Sequence, residues 1–106
     1  MGASGSKASG AMVDTVKTQI SKSKIIVYSK THCPHCTKTK ALLNGKKVDF
    51  TLVELDTESQ GGEMQSALQQ ISGQRTVPNI FIGGEHLGGN SDLQSADRNG
   101  TLDQKI

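Results

Sequence analysis

Apolar positions along the chain fall into two periods, and the changes between them mark the elements. Val13, Val16 and Ile20 recur at helical spacing, with Asp14, Thr15 and Lys17 between them, which predicts a short amphipathic helix. The period then collapses into Ile25-Ile26-Val27, a continuous β-branched run inside Lys24 to Tyr28, the pattern of a strand buried on both faces. From Pro34 to about Leu43 a second helix is expected, with Ala41, Leu42 and Leu43 inward, Lys38 and Lys40 outward, and Asn44-Gly45 as a left-handed stop. Phe50 to Leu55 reads as the next strand. Met64, Ala67, Leu68 and Ile71 stand at i, i+3, i+4 and i+7, the cleanest amphipathic helix of the chain, and Gly73 ends it. Asn79 to Ile82 and His86-Leu87 flank Gly83-Gly84, which predicts a tight hairpin. A last helix follows Asn90-Ser91-Asp92, any of which can cap it, and Leu102 to Ile106 leave open one further turn.

A strand, a helix and a strand within about thirty residues make a right-handed parallel βαβ unit the natural arrangement. The hairpin that follows turns the sheet into a mixed one. At 106 residues one domain is expected, with a small core: hydrophobic residues make up 33%, aromatics 3%, and Trp is absent. Residues 1–11 are rich in Gly, Ser and Ala and read as a disordered leader or a cloning scar, leaving 12–106 as the domain. Met1-Gly2 with Ser6 matches a myristoylation start, a match that low complexity produces by chance. A net charge of +2 is too weak to argue for nucleic acid, and no apolar run approaches the length that crosses a bilayer. A reducing compartment is therefore expected: the cytoplasm, or an organelle if a targeting peptide has been removed.

Both cysteines lie in Thr31-His32-Cys33-Pro34-His35-Cys36, between the first strand and the second helix. A C-x-x-C pair at such a junction is a redox signature. If the helix begins at Pro34, its unpaired N–H groups and the positive end of its dipole lie beside Cys33 and favour a thiolate there. Cys36, a turn further in, keeps its proton longer. Cys33 is thus the expected attacking sulfur and Cys36 the resolving one, with His35 and Lys30 as candidate sources of positive charge. A free thiol of pKa about 8.5 is only about 3% ionised at pH 7, but lost intrinsic nucleophilicity nearly cancels the gain from ionisation. The larger benefit of a low pKa is in leaving, because such a sulfur departs faster from a mixed disulfide.

Two further clusters stand downstream. In Arg75-Thr76-Val77-Pro78 the proline read alone only starts a strand; were it cis and set against the cysteines, the Val77 backbone could pair with an extended peptide. Gly88-Gly89-Asn90-Ser91-Asp92 feeds a helix N-terminus, which is either an ordinary capped start or an anion site. Lys30, C-P-x-C, T-V-P and G-G-x-S-D together, in this order, resemble a glutaredoxin over the chain from Lys24 onward. The resemblance implies a thioredoxin-like α/β fold, with a four-stranded mixed sheet flanked by helices, a cis Pro78, and glutathione as co-substrate. It matches Lys30, Gln65 and Arg75 to contacts with the glycyl carboxylate, Val77 to the backbone partner of the cysteinyl unit, and Ser91 and Asp92 to the γ-glutamyl end. His35, Thr76, Pro78 and Gly89 complete the implied glutathione-binding set. The implied activity is reduction of protein–glutathione mixed disulfides and of protein disulfides by a monomer, without metal.

One departure concerns His35, where the family commonly has Tyr. A protonated imidazole there would favour the thiolate, an effect fading above about pH 6.5. The alternative is a solvent-facing substitution. A different class of function, a glutathione-ligated [2Fe-2S] dimer built on the first cysteine, is opposed by Pro34, which resembles the enzymatic members. Zinc held by His32, Cys33, His35 and Cys36 is opposed by geometry, since four ligands within five residues hardly surround one ion. Thr37 stands where c-type haem attachment needs His. A thioredoxin would lack the glutathione-side residues, and no Trp stands beside the cysteines.

Overall fold

The computed structural model describes residues 8–106; most of the expected leader, residues 1–7, lies outside that range. The elements run α1 (Gly10–Lys22), β1 (Ile25–Ser29), α2 (Pro34–Gly45), β2 (Thr51–Glu54), α3 (Gly61–Ser72), β3 (Asn79–Ile82), β4 (Glu85–Gly88), α4 (Asn90–Arg98) and α5 (Thr101–Lys105). The sheet order is β2-β1-β3-β4. β1 pairs in parallel with β2 and antiparallel with β3, and β3 pairs antiparallel with β4, so the sheet is mixed, as the hairpin predicts.

The uninterrupted apolar run of β1 follows from its position at the centre. Ile26 and Tyr28 point into one core with Val16, Ala67, Leu68 and Phe81, beneath α1 and α3. Ile25 and Val27 point into a second with Leu43, Ile80, Leu93 and Leu102, beneath α2, α4 and α5. Because side chains alternate across a strand, a strand covered on both faces must be apolar throughout. Tyr28 packs edge-on against Phe81, with ring centres 6.1 Å apart, and its hydroxyl donates to Gln19 Oε1 at 2.8 Å. That burial drives the phenol well above its ordinary pKa.

Three expectations need correction. Helix α1 takes in Gly10 and Ala11, which fall in the predicted leader: Ser9 Oγ accepts the Met12 N–H at 3.1 Å and caps it. The Ala8 and Ser9 N–H groups donate to Gln70 and Glu63 of α3. In α2, three consecutive residues cannot share one face at about 100° each. The buried positions are Cys36, Thr39 and Leu43, while Ala41 is exposed and Lys40 is half-buried against Glu54. Finally, α2 runs through Asn44 to Gly45, and the left-handed residue is Lys47, at φ 59°.

Candidate active site

The C-terminal end of β1, the start of α2, the loop before β3 and the start of α4 meet at one edge of the molecule. Cys33 is the N-cap of α2, and Pro34 opens the helix, where its missing N–H is no loss. The Cys36 N–H points back to Cys33 Sγ at 3.4 Å. Cys33 Sγ lies 3.9 Å from the Val77 carbonyl, to which its thiol donates. Val77–Pro78 is a cis peptide bond. The Gln74 side chain holds this loop, donating to the carbonyls of Thr76 and Pro78 at 3.0 Å each.

The two sulfurs are free thiols in unlike surroundings. At Cys33, partial desolvation pushes the thiol upward. Hydrogen bonds from the Cys36 thiol and from the N–H groups of Cys36 and His35, with the charge of Lys40, outweigh it and leave the group below an ordinary thiol. At Cys36, which has no solvent exposure, burial dominates and the thiol is raised, despite the Ser29 hydroxyl nearby. The positive charge thus comes from Lys40 two turns along α2, and His35 acts through its backbone N–H. Lys40→Met is therefore expected to move the pH midpoint of Cys33 alkylation upward. It also strands Glu54, whose Oε2 accepts from Lys40 at 2.9 Å and whose Oε1 is buried without a partner among the described residues.

A groove of about 430 Å³ opens beside this pair, lined by His35, Lys38, Thr76, Val77, Pro78, Gly89, Asn90 and Ser91. Six of these are expected site residues; Lys38 and Asn90 are not. Asn90 Oδ1 accepts the buried Thr39 hydroxyl at 3.0 Å, tying α4 to the cysteine helix. Asp92 caps α4 by accepting the Gly89 N–H at 2.9 Å. A Cβ at Gly88, with φ at 129°, would come within 2.2 Å of that carboxylate, so glycine is what lets the chain turn tightly into the helix. Gln65 and Arg75 lie behind the loop: Gln65 Nε2 donates to the Arg75 carbonyl at 2.7 Å, and Arg75 Nη1 to Ser66 Oγ at 3.1 Å. Lys30 opens the turn into the cysteines, its carbonyl accepting the Cys33 N–H at 3.3 Å. Another hollow of about 390 Å³ on the outer face of α1 is lined by Asp14, Thr15, Thr18, Gln19 and Lys22, away from the sulfurs.

Residues 25–87, which carry the first strand, the cysteine pair and the T-V-P loop, match the family model described as Glutaredoxin. The chain belongs to the glutaredoxin family. A glutaredoxin of Ricinus communis is 48% identical over 87% of this chain and 89% of its own length. Glutaredoxin-C2 of Arabidopsis thaliana is 45% identical over 81% of this chain and 78% of its own. A buckwheat glutaredoxin–glutathione complex superposes with a TM-score of 0.85 at 34% identity, covering 92% of this chain and 93% of that one. The fold is the thioredoxin-like one of the glutaredoxins, which are thiol oxidoreductases.

Glutaredoxin motifs identify the cysteines and the two loops, but they carry no sign of Lys40, Asn90 or Gln74. Asn90 acts through Thr39, 51 residues away, whereas Gln74 holds carbonyls only two and four residues on, in a loop conformation that the motifs do not specify. For Lys40 a signal did exist: it stands seven residues after Cys33, which puts both on one face of α2. Among the described residues no cluster of three or more His, Cys, Asp or Glu side chains is placed to hold a metal ion, and no helix is long and apolar enough to cross a membrane.

Proposed function

We propose that the chain is a dithiol, glutathione-dependent oxidoreductase that reduces protein–glutathione mixed disulfides and protein disulfides. The observation that carries this reading is the half-exposed Cys33 sulfur at the start of α2, 3.9 Å from the Val77 carbonyl and beside a groove that ends at the N-terminus of α4. The groove falls within the usual size range of small-molecule sites. Glutathione is a tripeptide with a thiol in the middle and a carboxylate at each end. The α4 terminus, with its free N–H groups and positive dipole end, suits the γ-glutamyl carboxylate at Ser91, while Asp92 suits the ammonium beside it. The Val77 backbone pairs with the cysteinyl unit, and Lys30, Gln65 and Arg75 serve the glycyl carboxylate. His35, Thr76, Pro78 and Gly89 form the walls. The glutathione in the buckwheat complex supports this assignment.

In the proposed reaction the Cys33 thiolate attacks the glutathione sulfur of a glutathionylated protein, and the protein thiolate leaves. Cys33 is then joined to glutathione. A second glutathione thiolate attacks that sulfur, releasing oxidised glutathione and restoring the Cys33 thiolate. With a protein disulfide, the Cys33 thiolate attacks one protein sulfur and the other leaves as a thiolate; Cys36 then gives its proton to that leaving thiolate or to water and attacks Cys33 Sγ, releasing the first protein sulfur as a thiolate and leaving a Cys33–Cys36 disulfide for two glutathiones to reduce. The low pKa of Cys33 serves the leaving step.

A coupled assay comparing electron donors tests the proposal. Turnover with glutathione and glutathione reductase, and little with thioredoxin reductase, is expected. Preference for thioredoxin reductase refutes it. Relatives that carry the word chloroplastic in their names, among them monothiol glutaredoxin-S12 of Arabidopsis thaliana at 40% identity, make an organelle as compatible with the proposal as the cytoplasm.

A further inference from the structure

The turn that delivers Cys33 is held from the far side by a residue outside the family motifs. Asp56 accepts the Thr31 N–H on both carboxylate oxygens, at 3.1 Å each, and accepts the Thr31 hydroxyl on Oδ2. Its base is fixed. The preceding residue, Leu55, is buried, and its N–H donates to the Ser29 carbonyl at 2.8 Å, extending the β1–β2 ladder by one bond. The Thr57 N–H and hydroxyl both return to the Glu54 carbonyl, closing a turn around Asp56. Thr31 lies two residues before the nucleophile, and Lys30, immediately before it, accepts the Cys33 N–H. A carboxylate fixed to the sheet therefore sets where the strand-to-helix turn begins.

We propose that Asp56, acting through Thr31, is a positioning residue for Cys33, holding the turn so that the sulfur stays over the N–H groups of α2 and against the Val77 carbonyl. The inference rests on Cys33 being the attacking sulfur. His32 contributes little to the clamp. Its Nδ1 is 3.3 Å from Asp56 Oδ2, but its side chain is 82% exposed, and an ion pair so placed is screened by water. The hydrogen bonds to Thr31, the hydroxyl's foremost, are charge-assisted and lower the Asp56 carboxyl from its ordinary value, so the clamp stays ionised through the neutral range.

Charge and position make opposite demands on Asp56, which makes the idea testable. A carboxylate near Cys33 repels its thiolate, so removing that charge alone would lower the thiol's midpoint. Loosening the turn would carry the sulfur away from its donors and raise it. The test follows the pH dependence of Cys33 alkylation and steady-state turnover in wild type, Asp56→Ala, Asp56→Asn, Thr31→Val and His32→Ala, with thermal melting as the check on folding. Asp56→Ala is expected to raise the alkylation midpoint and lower turnover about tenfold, the scale of a small misplacement of a reacting group. Asp56→Asn keeps an acceptor for the Thr31 N–H and should recover most of the rate, and Thr31→Val should fall between. If Asp56→Ala does not fold, Thr31→Val decides. An alkylation midpoint that is unchanged or lower in folded Asp56→Ala or in Thr31→Val, or a larger effect from His32→Ala than from Thr31→Val, overturns the clamp. Alkylation needs no glutathione, so this outcome is distinct from failure of the proposed activity, which would show in wild type.

Discussion

Cys36→Ser is expected to keep the reduction of glutathionylated substrates and to lose the reduction of protein disulfides, while Cys33→Ser loses both. The reason is positional. Cys33 is half-exposed at the groove and carries the depressed pKa, whereas Cys36 is fully buried, its thiol raised by that burial. Only Cys33 can reach a substrate sulfur, so losing it removes the first bond-forming step in either reaction. Residual turnover should fall by at least about a thousandfold, as when other covalent nucleophiles are removed. Cys36 is needed where a protein-bound mixed disulfide must be resolved from within. Its removal also takes away a thiol that donates to Cys33, so the Cys33 alkylation midpoint should rise in Cys36→Ser unless the new hydroxyl takes over that bond. Parallel assays on a glutathionylated peptide and on a disulfide-bonded protein separate the two roles.

Gly61→Ala is expected to cause the largest loss of stability of any Gly→Ala change among the described residues. An added Cβ would lie 1.8 Å from the Leu55 carbonyl oxygen and 2.8 Å from its carbon, and both belong to the backbone. No rotamer relieves that clash. Either α3 must retreat from the sheet, or the chain after β2 must give way, and Leu55 is held to β1. Overpacking a buried site typically costs 1–3 kcal/mol, and a backbone collision lies at the upper end, so about 3 kcal/mol is expected. For a domain of this size that is a fall in Tm of roughly 15 °C. Gly62 next to it is the control: nothing lies within 4 Å of its added Cβ, and Ala there should stabilise by about 0.5–1 kcal/mol through helix propensity. Thermal or urea unfolding of the two variants reads the difference directly. Because Asp56 follows Leu55, Gly61→Ala should also disturb the Thr31 clamp, and its activity should fall faster than its folded fraction.

The architecture was legible because the strongest patterns coincide with the most buried elements. Ile25-Ile26-Val27 could only be a strand covered on both faces, and Met64 to Ile71 only a helix with one wet side. The hairpin followed from Gly83-Gly84, both at positive φ. What escaped lies where adjacent residues compete for one face or where partners are distant in sequence. Ala41, Leu42 and Leu43 could not all turn inward, and it is buried Cys36 and Thr39 that set the phase of α2. Ser9 could not be recognised as a cap from a stretch of Gly, Ser and Ala. In the site, motifs located the cysteines, the cis-proline loop and the α4 turn. Asp56, Lys40 and Gln74 had no motif to announce them: Asp56 meets Thr31, and Lys40 meets Glu54, only in the folded chain, while Gln74 reaches the Thr76 and Pro78 carbonyls through a local loop conformation that hydrophobic patterning does not encode.

One measurement bears most directly on the claim that Cys33 is an ionised sulfur recharged by a tripeptide thiol: trapping the intermediate in Cys36→Ser. Mixed with a glutathionylated peptide and quenched with acid, the variant should carry one glutathionyl group, on Cys33 by peptide mapping, and should lose it when free glutathione is added. Recovery of Cys33 bonded to the peptide instead, or unmodified while the peptide stays glutathionylated, would contradict the account.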